Sequence, residues 1–255
     1  MLTLLPLPAI NMQGVMVALA MGMVMTYAFL YNKATDLLED NVNTTSLPID
    51  EKHKNTLIKI ACACLIVPLL WLWQTPKILV IYLVFGGLLG FLYSYPVQIG
   101  KKSYRLKNIL FIKNLTPAVS VAACTVLPSY FLLPNFPQIY FLFYAISIFS
   151  VVLCVEILCD IRDIDGDRRA GIKTLPNTLG VAMARTIALL IYAGGCLWFY
   201  YLLHFSMPPP SLIAGQMITF LIILFTTAEK PYWYFHLPIF MGAASCFIAL
   251  ASRYL

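Results

Sequence analysis

Glu156, Asp160, Asp163 and Asp167 stand four, three and four residues apart. On a helix that spacing sets all of them along one face. They close a long apolar run, and Arg168, Arg169 and Lys173 follow at once. Carboxylates grouped this way suit a hard divalent cation, and the neighbouring bases suit an anion. A second group lies nearer the amino terminus, where Asn32, Asp36 and Asp40 recur every fourth residue with Glu39 beside them. With Asp50, Glu51 and Asp165, the two stretches hold ten of the eleven acids, and Glu229 alone stands elsewhere. Clusters without His or Cys fit Mg2+, which takes one or two carboxylates and completes its shell from water and phosphate oxygens. Arg168, Lys113 and Lys107 are the bases expected to meet such a phosphate group.

The elements that must position these acids are membrane helices. The chain has 255 residues, 61% hydrophobic and 11% charged, with a mean hydropathy of +0.83, which excludes an ordinary soluble surface. Runs of about 20 residues, enough to cross a hydrocarbon core, are read at Met12 to Tyr31, Leu57 to Trp73, Ile78 to Tyr95, Asn108 to Tyr130, Ile139 to Ile161, Ala182 to Phe205, Leu212 to Ala228 and Tyr234 to Tyr254. The period-2 alternation of a membrane barrel is absent. The expectation is an all-α integral membrane protein with about eight transmembrane helices, forming a single domain over residues 1–255. Gly22, with Ala18 and Ala20, is expected to admit a close helix neighbour.

Of the seventeen basic residues, all but Lys77 and Arg253 flank the odd-numbered connections. The positive-inside rule places those connections, and both acid clusters, at the cytoplasmic face. Charged loops explained by topology leave no case for nucleic-acid binding. Lys113 and Asn114 differ from the other polar loop residues because they lie inside the start of an apolar run, where a cation needs an anionic partner. The tyrosines and phenylalanines ending the third run, Tyr93 and Tyr95 among them, read first as interfacial anchors. The seven cysteines are scattered without CxxC pairs or nearby His, so they read as small core residues.

Neither GxxxxGK[ST] nor GxGxxG occurs, so a nucleotide is not the expected diphosphate. A prenyl diphosphate, its head at the membrane face and its tail among apolar helices, fits both halves of the chain.

N32-xxx-D36-xxx-D40, D160-xx-D163-xxx-D167, and above all DIRDIDGDRRAGIKTLP from Asp160 to Pro176 resemble the UbiA superfamily of intramembrane prenyltransferases. RLKN at Arg105 to Asn108 and KN at Lys113 and Asn114 are similar to that family's linking segment. The resemblance implies a UbiA-like helical bundle of nine spans with two Asp-rich motifs, at 32–40 and 160–167, that bind Mg2+ and a polyprenyl diphosphate. Asn32, Asp36, Asp40, Asp160, Asp163 and Asp167 would form the catalytic set, the five aspartates as metal ligands. Tyr104, Arg105, Lys107, Lys113 and Arg168 would meet the diphosphate. The reaction implied is transfer of the prenyl group to a lipophilic acceptor within the membrane. Cyclisation of the prenyl diphosphate alone, and an ion-coupled transporter lined by the same acids, are the alternatives.

The chain departs from the family pattern in four places. Lys33 stands where many members have Asp, and Leu47-Pro48 where many have Arg-Pro. Tyr104 and Lys107 fall one residue short of the family's YxxxK. An absent first family helix is the fourth expected departure, since it would reconcile eight spans and an amino terminus outside with a nine-span family, whether through a late start or a genuine shortening.

Overall fold

A computed structural model describes residues 12–36, 51–72, 77–100, 102–132, 138–202, 210–239 and 241. Each of the first seven expected spans contains a helix: α1 (Met12–Thr35), α2 (Glu51–Trp71), α3 (Lys77–Ser94), α4 (Ile112–Leu132), α5 (Gln138–Arg162), α8 (Val181–Leu202) and α9 (Pro210–Leu224). Two short helices, α6 (Ile164–Arg169) and α7 (Leu175–Leu179), lie between α5 and α8. The eighth expected span overlaps a 3-10 turn, Tyr232–His236, and lies for the most part outside the described residues. Among the described residues, four helices are long and apolar enough to cross a membrane: His53–Trp71, Lys77–Ser94, Tyr144–Arg162 and Val181–Trp198. Their outer faces are apolar too. Leu70 is 72% exposed, Leu190 68% and Leu197 69%, surface that water would penalise by about 25 cal/mol per Å² and that lipid accepts.

Two packed cores flank the acid clusters. In the first, Val17, Ala20, Met21 and Val24 of α1 meet Leu72, Leu79 and Leu83, with Cys124 of α4. In the second, Cys154, Ile157, Leu158 and Ile161 of α5 meet Ala184, Ala188 and Tyr192 of α8, with Ile223 and Phe235. Helix α4 touches both α1 and α5 and so joins the two. Gly22 does not mediate a close approach as expected: it faces outward with nothing within 4 Å of the place a Cβ would take. Cys62 is likewise exposed rather than in a core.

The close approach occurs elsewhere. A Cβ on Gly195 of α8 would lie 2.6 Å from Cβ of Ser150 on α5, whose hydroxyl donates to the Ile146 carbonyl at 2.8 Å. Gly195→Ala is therefore expected to force α5 and α8 apart and cost about 1–3 kcal/mol. Thermal unfolding in detergent reads this, and an unchanged midpoint would contradict the packing.

Between α3 and α4 the chain does what its composition did not announce. Val97–Ile99 (β1) and Lys102–Tyr104 (β2) pair antiparallel, Val97 opposite Tyr104 and Ile99 opposite Lys102. Gly100, with φ of 62°, opens their two-residue turn, where positive φ is required. A 3-10 turn, Leu106–Asn108, follows. Helix α4 then begins at Ile112 rather than near Asn108, because Phe111 holds a left-handed backbone, φ 70°, that a right-handed helix cannot include.

Candidate active site

The first half of the site forms where α1 ends. The backbone N–H of Asp36 still donates to the Asn32 carbonyl at 3.1 Å, so Asn32 and Asp36 lie one turn apart on the same side. Asp36 is buried, and so is Lys107 at 3% exposure. The Lys107 ammonium donates to Asp36 Oδ1, and Arg105 Nη1 lies 3.5 Å from the same oxygen. Ser94, at the end of α3, donates its hydroxyl to Asn32 Oδ1 at 2.9 Å. Beside this group runs a ladder of rings across α1 and α3. Tyr27 and Tyr31 are 5.8 Å apart, Tyr31 and Phe91 5.6 Å, and Phe91 and Tyr95 4.6 Å. Asp40 lies outside the described residues.

The second half forms where α5 meets the start of α4. Lys113 Nζ lies 2.9 Å from Asp160 Oδ1 and 2.6 Å from Asp167 Oδ2. Asn114 donates its amide to Asp160 Oδ2 at 2.7 Å. These partners answer the expectation that a lysine at this depth needs an anion.

One helix does not carry all four acids, however. Helix α5 stops at Arg162, and Asp163 adopts φ −93° and ψ 11°, in the bridge region that ends a regular helix. Asp167 belongs to the separate α6. Arg162 grips Asp163 with a two-pronged bond, Nε to Oδ1 at 2.7 Å and Nη2 to Oδ2 at 2.6 Å. Past α6, Gly171 takes φ 71°, and Ile172 N–H returns to the Asp167 carbonyl at 2.8 Å. This closes the turn that presents Asp167. Asp160 and Asp167 thus converge across a break in the helix.

Consecutive residues of α3 tie the halves together. Ser94 reaches Asn32, while Tyr93 donates its hydroxyl to the Lys113 carbonyl at 3.0 Å. Through this pair α3 touches both clusters. Tyr93 and Ser94 are the members that sequence reasoning missed, since a tyrosine at a span end is first an interfacial anchor. Arg168 and Tyr104 are not brought in: Arg168 is 65% exposed with Asp165 3.9 Å away, and Tyr104 is exposed on β2. Glu156, one turn deeper on α5, is half-buried.

Burial pushes the Asp167 carboxyl up to about 7, against the pull of Lys113 and with Asp160 adding to the rise. From the ordinary value of 3.8 up to about 7, the folded chain therefore holds a proton that the unfolded chain has released. The stability this group adds is full below the lower value and is lost as pH rises through the upper one. Metal-free protein is expected to melt at progressively lower temperature as pH rises across that interval, and Asp167→Asn to flatten the slope. An unaltered slope in the variant would exclude Asp167 as its source.

Among the described residues no three His, Cys, Asp or Glu side chains form a ready cage for a metal. The acids instead converge in a pair, Asp160 and Asp167, on a single cationic nitrogen. Two carboxylates with the rest of the shell left open is a donor set Mg2+ accepts when phosphate and water complete it.

Residues 8–234 match the model of the UbiA prenyltransferase family, and the chain belongs to that family. A solved structure described as a UbiA homolog from Archaeoglobus fulgidus bound to DMAPP and Mg2+ shares the fold. Its TM-score is 0.66 and its sequence identity 15%, with 94% of this chain and 88% of the archaeal one covered. No protein of curated function matches this sequence. Family membership supports a prenyltransferase-type enzyme set in the membrane.

Proposed function

We propose that this protein transfers a prenyl group, in an Mg2+-dependent reaction, from a polyprenyl diphosphate to a lipophilic acceptor such as a quinone precursor, another aromatic or a lipid. The observation that carries this is the convergence of Asp160 and Asp167 on one cation, tied through Tyr93 and Ser94 to Asn32, one turn from Asp36 and its bases. The archaeal homolog's ligands, DMAPP and Mg2+, are of the kind that such a site would take.

Asp36, Asp160 and Asp167 would hold the metal, together with Asp40 of the first motif and with Asp163, which Arg162 anchors. Bound there, Mg2+ would draw off the negative charge that collects on the leaving diphosphate. Lys107, Lys113 and Arg105 would take diphosphate oxygens by charge-assisted bonds. As the diphosphate departs with the bonding electron pair, an allylic cation is left. The ring faces of Tyr31 and its stacked neighbours, within a turn of Asn32, attract such a cation by about 0.5–2 kcal/mol each. The acceptor's electron pair then forms the new bond and the acceptor loses a proton. Eight spans, with the basic connections and the site at the cytoplasmic face, accord with the charge distribution.

The test is a panel of prenyl diphosphates incubated with purified protein, with and without host lipid extract, and product mass spectrometry. Prenylated product is expected only when extract is present. A terpene hydrocarbon or terpenol formed without it would replace transfer by cyclisation, and unconsumed substrate in every arm would end the proposal.

A further inference from the structure

The second half of the site already contains a cation. Lys113 Nζ sits between Asp160 and Asp167, 2.9 Å and 2.6 Å from their oxygens, where a divalent ion would lie between the same carboxylates. Apart from these two carboxylates, its place on α4 does not favour an ammonium. Lys113 is the second residue of α4, the end of a helix whose dipole opposes positive charge. Its side chain is only 16% exposed, so water does little to solvate it. The two carboxylates are what hold it in place.

With both carboxylates ionised, one ammonium between them leaves a single negative charge. A divalent ion arriving alone would make the cluster positive and take both partners from Lys113. A diphosphate arriving with the ion changes the balance, because its oxygens offer Lys113 a new anion as the carboxylates turn to the metal. The movement required is small. Tyr93 holds the Lys113 carbonyl and Asn114 holds Asp160, so only the lysine stem has to swing. Lys107 on Asp36 repeats the arrangement in the first half.

We propose that Lys113 is the resting counter-ion of the Asp160–Asp167 pair and makes divalent-metal binding conditional on a diphosphate, so that the two bind as a unit. This rests on the metal–diphosphate reading of the site. By reciprocity the metal strengthens diphosphate binding by the same factor.

Mn2+ binding to full-length protein in detergent, followed by electron paramagnetic resonance with and without inorganic pyrophosphate, tests it, with a protein-free control for the Mn2+–pyrophosphate complex. Pyrophosphate is expected to raise the wild-type affinity for Mn2+ by about 100-fold, within the usual range of coupling between sites. Lys113→Met is expected to bind Mn2+ alone at least about tenfold more tightly than wild type and to lose most of the coupling, which Lys113→Arg retains. Wild type that binds Mn2+ equally well without pyrophosphate overturns the proposal, as does an unchanged affinity in Lys113→Met. The wild-type comparison needs no variant and decides the matter even where Lys113→Met does not fold. Wild type that binds no Mn2+ in either condition overturns the metal–diphosphate reading itself, and this inference with it.

Discussion

Asp160→Asn is expected to reduce turnover by roughly 10³-fold or more, the scale set by losing a group that stabilises charge in the transition state. Asp160 accepts from Lys113 through one oxygen and from Asn114 through the other, so its charge is committed entirely to the site. The replacement keeps the shape and an acceptor for Asn114, and Asp167 remains 2.6 Å from Lys113. The fold should therefore survive, as size-exclusion and thermal unfolding would show. Asp165→Asn is the control. Asp165 is 72% exposed, with Arg168 3.9 Å away, and exposed pairs of this kind contribute little, so its activity should stay within about twofold of wild type. Folded Asp160→Asn protein keeping a tenth or more of wild-type activity would remove Asp160 from the chemistry.

Stripping divalent ions with a chelator is expected to abolish turnover, and Mg2+ to restore it, while the unfolding temperature barely moves. The two halves of that result have one cause. The acids that would hold the metal are buried and would repel one another if bare, but Lys107 covers Asp36 and Lys113 covers Asp160 and Asp167. The chain thus offsets most of its site's charge without an ion, unlike small metal-dependent domains that unfold when stripped. Activity that persists through exhaustive chelation would rule out the metal. A collapse in melting temperature would instead show that the lysines do not balance the carboxylates.

Much of this was legible in the residues. Apolar runs located seven helices, because a hydrocarbon core sets both length and composition. Paired acid clusters pointed to the candidate site, and the cost of a cation inside an apolar run singled out Lys113, which does meet two acids. The course of the backbone at 163 was not legible. Helical spacing says which residues share a face if the helix continues, but Asp163 leaves it, and the neighbouring Arg162 competes for its carboxylate. Tyr93 and Ser94 were missed for another reason: a tyrosine ending a span has the same composition whether its hydroxyl meets headgroups or Lys113. Gly22 shows the same limit. Small residues allow close approach, but which glycine meets a neighbour depends on a second helix, and here Gly195 does.

Phe111 bears on how this stretch of chain can vary. Its left-handed backbone, costing about 1–2 kcal/mol in a residue with a Cβ, separates Lys107 from Lys113, and each lysine serves a different half of the site. That one residue sets the phase of α4 relative to the turn before it. Since each residue of a helix advances by about 100°, an insertion or deletion at this point would swing the opening of α4 round by that angle and carry Lys113 off Asp160. Side chains in the connection are free to change in many ways, but its length is not: the segment works as a spacer cut to one size.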